Sequence, residues 1–251
     1  MRMRKKPNLA NRMERCAGLL IQNPMERRGN WKSLFPQARG LRLEVGCGKG
    51  RFTVETASQN PECLFLAIER VADAMIIAME RAEKMGLHNV YFIDADAARL
   101  REYFAPGEVD LIYLNFSDPW PSNRHSKRRL THMDFLMRYR QVLKEGGQIH
   151  FKTDNRDLYE WSLFQFPKAG FALSEVTRDL HANGICGVMT DYEEKFHTMG
   201  TPINRCVGTM VELPAEMAGW IDPLDKPCGK EEAEEGESAV DFQPAHAREE
   251  L

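Results

Sequence analysis

The sequence predicts an α/β fold built on a doubly wound, mostly parallel sheet. Three observations predict it. Short apolar runs of strand length alternate with helix-period stretches from about residue 40 to residue 165. The first run passes directly into Gly46-Cys47-Gly48-Lys49-Gly50 and then a helix. Acidic residues recur in or at the ends of successive runs, at Glu44, Glu69, Asp96, Asp118 and Asp154. In a parallel sheet those ends share one edge, and ligands bind at that edge.

The chain has 251 residues, enough for one domain of ordinary size with extensions. It is 43% apolar and 28% charged, which fits a globular soluble protein. Nothing approaches the roughly 18 continuous apolar residues of a membrane span. The only apolar patch near the N-terminus, Ala17 to Ile21, is too short for a signal-peptide core, so a cytoplasmic address is expected. The cysteines Cys16, Cys47, Cys63, Cys186, Cys206 and Cys228 form no CxxC pair, and the histidines show no HxxxH spacing. Free thiols are expected, with neither a disulfide frame nor a metal site. Nothing in the sequence points to an obligate protein partner.

The formal net charge of −3 hides an asymmetry. From Lys230 to Leu251, eight acids face Lys230 and Arg248, a net of −6, which leaves +3 on residues 1–229. Three regions are expected: a basic N-terminal arm over residues 1–35, an α/β domain over 36–213, and an acidic disordered tail over 214–251. Arg2, Arg4, Lys5, Lys6, Arg12 and Arg15 suit the arm to attract polyanions. A frayed, solvated terminus is the alternative for residues 1–15. Trp31, Leu34 and Phe35 offer the arm an anchor on the body.

Leu41, Leu43 and Val45 alternate like a strand before the glycine turn. Glycine at Gly46, Gly48 and Gly50 permits unusual φ and lets a ligand approach the backbone. A helix follows over Arg51 to Ala57. A second strand, Leu64 to Ile68, ends in Glu69, placed to bond ribose hydroxyls. Met75, Ile76, Met79 and Ala82 line one side of the next helix, a core stripe that Gly86 stops. Val90 to Ile93 is the third strand, ending at Asp94-Ala95-Asp96, and Val109 to Leu114 is the fourth.

Asn115 to Thr131, NFSDPWPSNRHSKRRLT, follows that fourth strand. Asp118 stands alone before a Pro119-Trp120-Pro121 turn. Arg124, His125, Lys127, Arg128 and Arg129 then put five cationic or potentially cationic side chains in six positions. A carboxylate, a flat aromatic and a cationic cluster at a strand end suit a nucleobase and its phosphates, and a solvated surface loop is the alternative. Thr131 is expected to cap the next helix with Asp134 in a capping-box variant, and Gly146-Gly147 to close it. Gln148 to Lys152 is the fifth strand, ending at Thr153-Asp154-Asn155. A helix over Asp157 to Phe166, a strand over Phe171 to Arg178, a long irregular segment and a last strand over Cys206 to Leu213 complete the chain.

A dinucleotide fingerprint wants GxGxxG, and Arg51 stands where its last glycine belongs. A nicotinamide-dependent oxidoreductase is therefore disfavoured. A methyltransferase acting on a small molecule or rRNA, and a non-catalytic RNA-binding module, stay open at this point. Asn115-Phe116-Ser117-Asp118-Pro119-Trp120-Pro121, with His125 and Lys127-Arg128-Arg129-Leu130, closely resembles the signature of bacterial tRNA (guanine-N7)-methyltransferases. Thr190-Asp191-Tyr192-Glu193-x-Lys195-Phe196, followed by Gly200 and Pro202-Ile203-x-Arg205, resembles the same family's second signature. The resemblance covers about residues 30–212.

The resemblance implies a Rossmann-like methyltransferase domain that uses S-adenosyl-L-methionine and acts on a guanine in the tRNA variable loop. It implies cofactor contacts at Glu44, Glu69, Asp96 and Asp118, beside the glycines Gly46, Gly48 and Gly50, with Asp118 also the active-site residue. It implies substrate contacts at Asp154, Thr190, Asp191, Tyr192 and Glu193. Ser122 departs from the family, which commonly carries a basic residue after the second proline; Arg124 is the nearby substitute. Lys127, Arg128 and Arg129 are expected to hold the RNA backbone.

Overall fold

The computed structural model describes residues 5–225. The described residues up to Trp220 belong to one compact unit, and Ile221 opens a second. Of the second unit only residues 221–225 are described, with a single 3₁₀ turn at Pro223–Asp225. The acidic run expected from Lys230 onward lies outside the described residues.

The unit is organised on a seven-stranded sheet: β1 (Gly40–Val45), β2 (Cys63–Glu69), β3 (Val90–Asp94), β4 (Val109–Asn115), β5 (Leu143–Thr153), β6 (Phe171–Thr177) and β7 (Asn204–Met210). Their spatial order is β3-β2-β1-β4-β5-β7-β6. The first five are mutually parallel, and β7 runs antiparallel to both neighbours. The strand order reverses between β1 and β4, which opens a crevice at their C-terminal ends. β2 is buried along its whole length except its tip, as a strand covered on both faces must be, and β1 is buried at four of its six positions.

Seven α-helices serve this sheet among the described residues: α1 (Leu9–Arg15), α2 (Arg51–Gln59), α3 (Ala72–Lys84), α4 (Leu100–Tyr103), α5 (Met133–Val142), α6 (Arg156–Lys168) and α7 (Asp191–Thr198). The methionine stripe of α3 is core, with Met75, Ile76, Met79 and Ala82 fully buried. The arm is docked onto the body. Arg12 of α1 makes a two-pronged ion pair with Glu80 of α3, Cys16 is buried, and the Trp31 ring is enclosed with its indole N–H donating to the Tyr103 carbonyl at 2.9 Å. Past Leu213, Met217 and Trp220 pack against the core.

Three local expectations are corrected. Thr131 does not cap α5: its hydroxyl is buried against Ser162 at 2.7 Å, and His132 Nδ1 accepts from the Asp134 N–H instead. Gly146-Gly147 does not end a helix. The pair lies inside β5, beside a register irregularity against Val109 and Leu111. The long segment expected to be irregular contains α7. Its start is a complete capping box, in which the Glu193 N–H donates to the Thr190 hydroxyl at 2.9 Å and the Thr190 N–H donates to the Glu193 carboxylate at 3.2 Å.

Candidate functional site

The glycine turn joins β1 to α2 at the sheet crevice. Gly46 donates to the Ile68 carbonyl at 2.8 Å, and Gly50 donates to the Cys47 carbonyl at 2.9 Å. All three glycines hold positive φ, at 78°, 56° and 71°. Their surroundings separate their roles. A Cβ on Gly46 or Gly48 would meet no heavy atom within 4 Å, so open space lies against this backbone. A Cβ on Gly50 would sit 2.2 Å from that of Ala78. Gly50 is there for the close approach of α2 and α3.

The strand-end acids lie along one edge, as expected. Glu69 is next to Asp94 in the β2–β3 register. Its carboxylate accepts from Gly48 N–H at 2.9 Å and from Arg70 and Val71 N–H at 2.8 and 2.9 Å. Asp96 accepts from Ala98 N–H at 3.0 Å and pairs with Arg70 at 3.2 Å. Glu44 is different, being only 2% exposed. The Thr53 hydroxyl and the Asn115 amide both donate to its carboxylate, the latter at 2.9 Å. Burial pushes its pKa up to about 7, against the downward pull of those two donors.

Beyond β4 the backbone is constrained. Phe116 continues the β4–β5 pairing by donating to the Lys152 carbonyl at 2.9 Å. Phe116 and Trp120 both hold positive φ, at 53° and 43°, where a side chain is disfavoured. Each lies two residues from Asp118, which is exposed between them. Strain of this kind concentrates at functional sites. Two oxygens here, Asn115 Oδ1 and Ser117 Oγ, are buried without a hydrogen-bond partner.

The basic run divides into two parts. Arg124, Lys127 and Arg128 are exposed, as is Ser122. Arg128 lies over the Trp120 ring at 4.9 Å, and His125 meets the same ring edge-on. Arg129 is only 6% exposed. Its guanidinium donates to the carbonyls of Pro119 and Trp120 and lies 4.4 Å over the Trp161 ring. In this structure it holds the turn and does not face solvent.

The second signature sits at the same edge. Asp154 follows the tip of β5 and is half-exposed. Glu193 is fully buried. Lys152 Nζ donates to one of its oxygens at 2.6 Å, and His181 Nε2 meets the other at 3.1 Å. Cys186 N–H donates to His181 Nδ1, so the His181 proton is on Nε2 and points at Glu193. Thr190 caps α7, and Asp191 takes a two-pronged contact from Arg81. Tyr192, 52% exposed, is the one of the four that is turned to solvent. Lys152, His181, Arg51 and Arg81 carry no motif that marks them in the sequence. The Thr-x-x-Glu spacing is the local signal for α7.

A strand-order reversal, a glycine turn with open space on its ligand face, and acids at successive strand ends define a methyltransferase of the doubly wound class. A family model described as a putative methyltransferase matches residues 38–206. Curated tRNA (guanine-N(7)-)-methyltransferases from Streptococcus suis and Bacillus velezensis are each 44% identical over 82% of this chain, covering 97% and 95% of their own lengths. This chain belongs to the tRNA (guanine-N7)-methyltransferase family. Among solved structures, the 16S rRNA methyltransferase KamB matches with a TM-score of 0.58 at 18% identity, covering 73% of this chain and 94% of that one. That likeness concerns the fold.

Proposed function

We propose that this site transfers the methyl group of S-adenosyl-L-methionine to N7 of a guanine in the variable loop of tRNA, in the cytoplasm. The observation that carries this reading is the setting of Asp118. It is an exposed carboxylate between two strained non-glycine residues, directly after the strand whose Asn115 grips Glu44.

The residues present fit the donor. Gly46 and Gly48 leave room for a ligand against the backbone. Glu69, at the tip of β2, would take the ribose hydroxyls, and Asp96 would take the base edge. Glu44 acts from behind, fixing the Asn115 amide and the Thr53 hydroxyl. When bound, the donor supplies an electrophilic methyl group on a cationic sulfur.

The acceptor atom, guanine N7, carries an in-plane lone pair and no proton. Bond formation therefore needs no general base, and the protein contributes orientation and electrostatics. Asp118 positions the guanine through its N1 and N2 hydrogens and offsets the charge that grows on the ring. Asp154 and Tyr192 complete the acceptor side. Thr190, Asp191 and Glu193 build the helix that presents Tyr192. Arg124, Lys127 and Arg128, with Ser122 beside them, face the RNA backbone while the base is out of its stack, an extrusion that costs a few kcal/mol. Trp120 and Arg128 offer that base a flat surface.

The experiment is to incubate the protein with labelled S-adenosyl-L-methionine and unmodified tRNA and to map the label. Transfer to guanine N7 is expected. Asp118→Asn should lower the rate by at least about 100-fold while retaining some donor binding. Transfer to another atom, or a wild-type rate in Asp118→Asn, would overturn the assignment.

A further inference from the structure

Arg81 projects from the last turns of α3, outside both signatures. Its Nη1 donates to the Lys49 carbonyl, in the glycine turn, at 3.0 Å. The same guanidinium donates to Asp191 at 2.8 and 3.1 Å through its two terminal nitrogens. One side chain thus bridges the donor turn and the first residue of α7. Arg51, the first residue of α2, adds a parallel strut. It donates to Glu194 at 2.6 Å while holding Glu55 at 3.0 Å.

Asp191 and Glu194 are three residues apart, so both lie on one face of α7. That face is tied to the glycine turn. Glu193 is tied to the sheet by Lys152 and His181. Fixed on both sides, α7 leaves Tyr192 outward. A partly exposed ion pair such as Arg81–Asp191 adds little to stability. Its consequence is geometric: a displacement of about 1 Å between donor and acceptor lowers a transfer rate by roughly 100-fold.

We propose that Arg81 is a positioning residue for the methyl transfer, an assignment that rests on the function proposed above. Through the Lys49 carbonyl and Asp191 it sets the distance between the glycine turn and α7, and so between donor and guanine. Asp191 is the α7 end of that link.

The test compares wild type, Arg81→Gln, Arg81→Lys, Asp191→Asn and the Arg81→Gln/Asp191→Asn double variant. Single-turnover methylation of tRNA is measured at saturating donor and tRNA, with donor affinity by calorimetry and thermal midpoint alongside. Arg81→Gln should slow transfer about 10- to 100-fold, with donor affinity within about threefold of wild type and little change in midpoint. Arg81→Lys, which keeps the charge but not the fork, should recover part of the rate. The double variant should be no slower than the slower single variant. A wild-type rate in Arg81→Gln, a defect that lies wholly in donor affinity, or additive losses in the double variant would each overturn the proposal. A wild type that does not methylate tRNA would overturn the underlying function as well, which an active wild type with an unaffected Arg81→Gln would not.

Discussion

The Lys152 ammonium and the Glu193 carboxylate lie 2.6 Å apart, both shut away from solvent. Burial lowers the Lys152 pKa, while Glu193 and Glu44 pull it back up. Removing either partner leaves an uncompensated buried charge, which costs about 3–5 kcal/mol. Lys152→Met and Glu193→Gln should each destabilise the protein on that scale in urea unfolding. The double variant should be more stable than the sum of the two losses, because no lone charge remains. Strict additivity would show that the two do not act as a pair.

Gly48 and Gly50 should fail in different ways. Alanine at either Gly48 or Gly50 is forced into left-handed backbone, which costs about 1–2 kcal/mol. At Gly50 its methyl group also meets Ala78, adding about 1–3 kcal/mol of overpacking. At Gly48 the methyl group enters the open space instead. Gly48→Ala should therefore unfold only slightly earlier than wild type but lose donor affinity in calorimetry. Gly50→Ala should show the larger loss of stability. The reverse ranking would reject this division of roles.

The sheet was legible in the sequence because β2, β3 and β4 are nearly all-apolar runs and β1 alternates, with periodicity and punctuation in agreement. Leu41, Leu43 and Val45 leading into the glycines left little freedom. The edge that holds Glu69, Asp96, Asp118 and Asp154 followed from the parallel order alone. The failures lie where tertiary contacts overrule local chemistry. Thr131 has the composition of a cap, yet Ser162 takes its hydroxyl inside the core. Gly146-Gly147 resembles a helix stop but sits in an irregular strand. Arg128 and Arg129 are the same residue type in neighbouring positions, and only the fold turns one out and the other in. Arg81 meets Asp191 across 110 residues, a pairing that no local pattern announces.

Glu44 should make stability depend on pH. Its pKa is raised from 4.5 to about 7 by burial, so the folded state holds a proton that the unfolded state releases at lower pH. Below pH 4.5 both states are protonated and this group costs nothing. As pH rises from 4.5 to 7 the unfolded chain ionises first, and stability falls by up to about 3 kcal/mol, at about 1.36 kcal/mol per pKa unit. Above pH 7 the loss is complete. Glu44→Gln, which does not titrate, should lack this descending limb. Urea unfolding of both proteins from pH 4.5 to 8 checks it. Parallel curves would show that Glu44 does not carry the dependence.

Arg128 and Arg129 should give opposite phenotypes. Exposed Arg128, with Arg124 and Lys127, faces the expected path of the RNA backbone. Each phosphate contact removed should lower the magnitude of the slope of log affinity against log salt by about 0.7–0.9. The Arg124→Gln/Lys127→Gln/Arg128→Gln variant should therefore bind tRNA less tightly at low salt and with a shallower slope, at unchanged thermal midpoint. Buried Arg129 bonds two turn carbonyls and a ring. Arg129→Ala should cost about 2–3 kcal/mol of stability, since hydrogen bonds with a charged donor are lost. Arg129→Lys should not restore it, because an ammonium cannot span both carbonyls as the planar fork does. Its salt slope should match wild type. A shallower slope in Arg129→Lys at wild-type stability would instead put that guanidinium on the RNA.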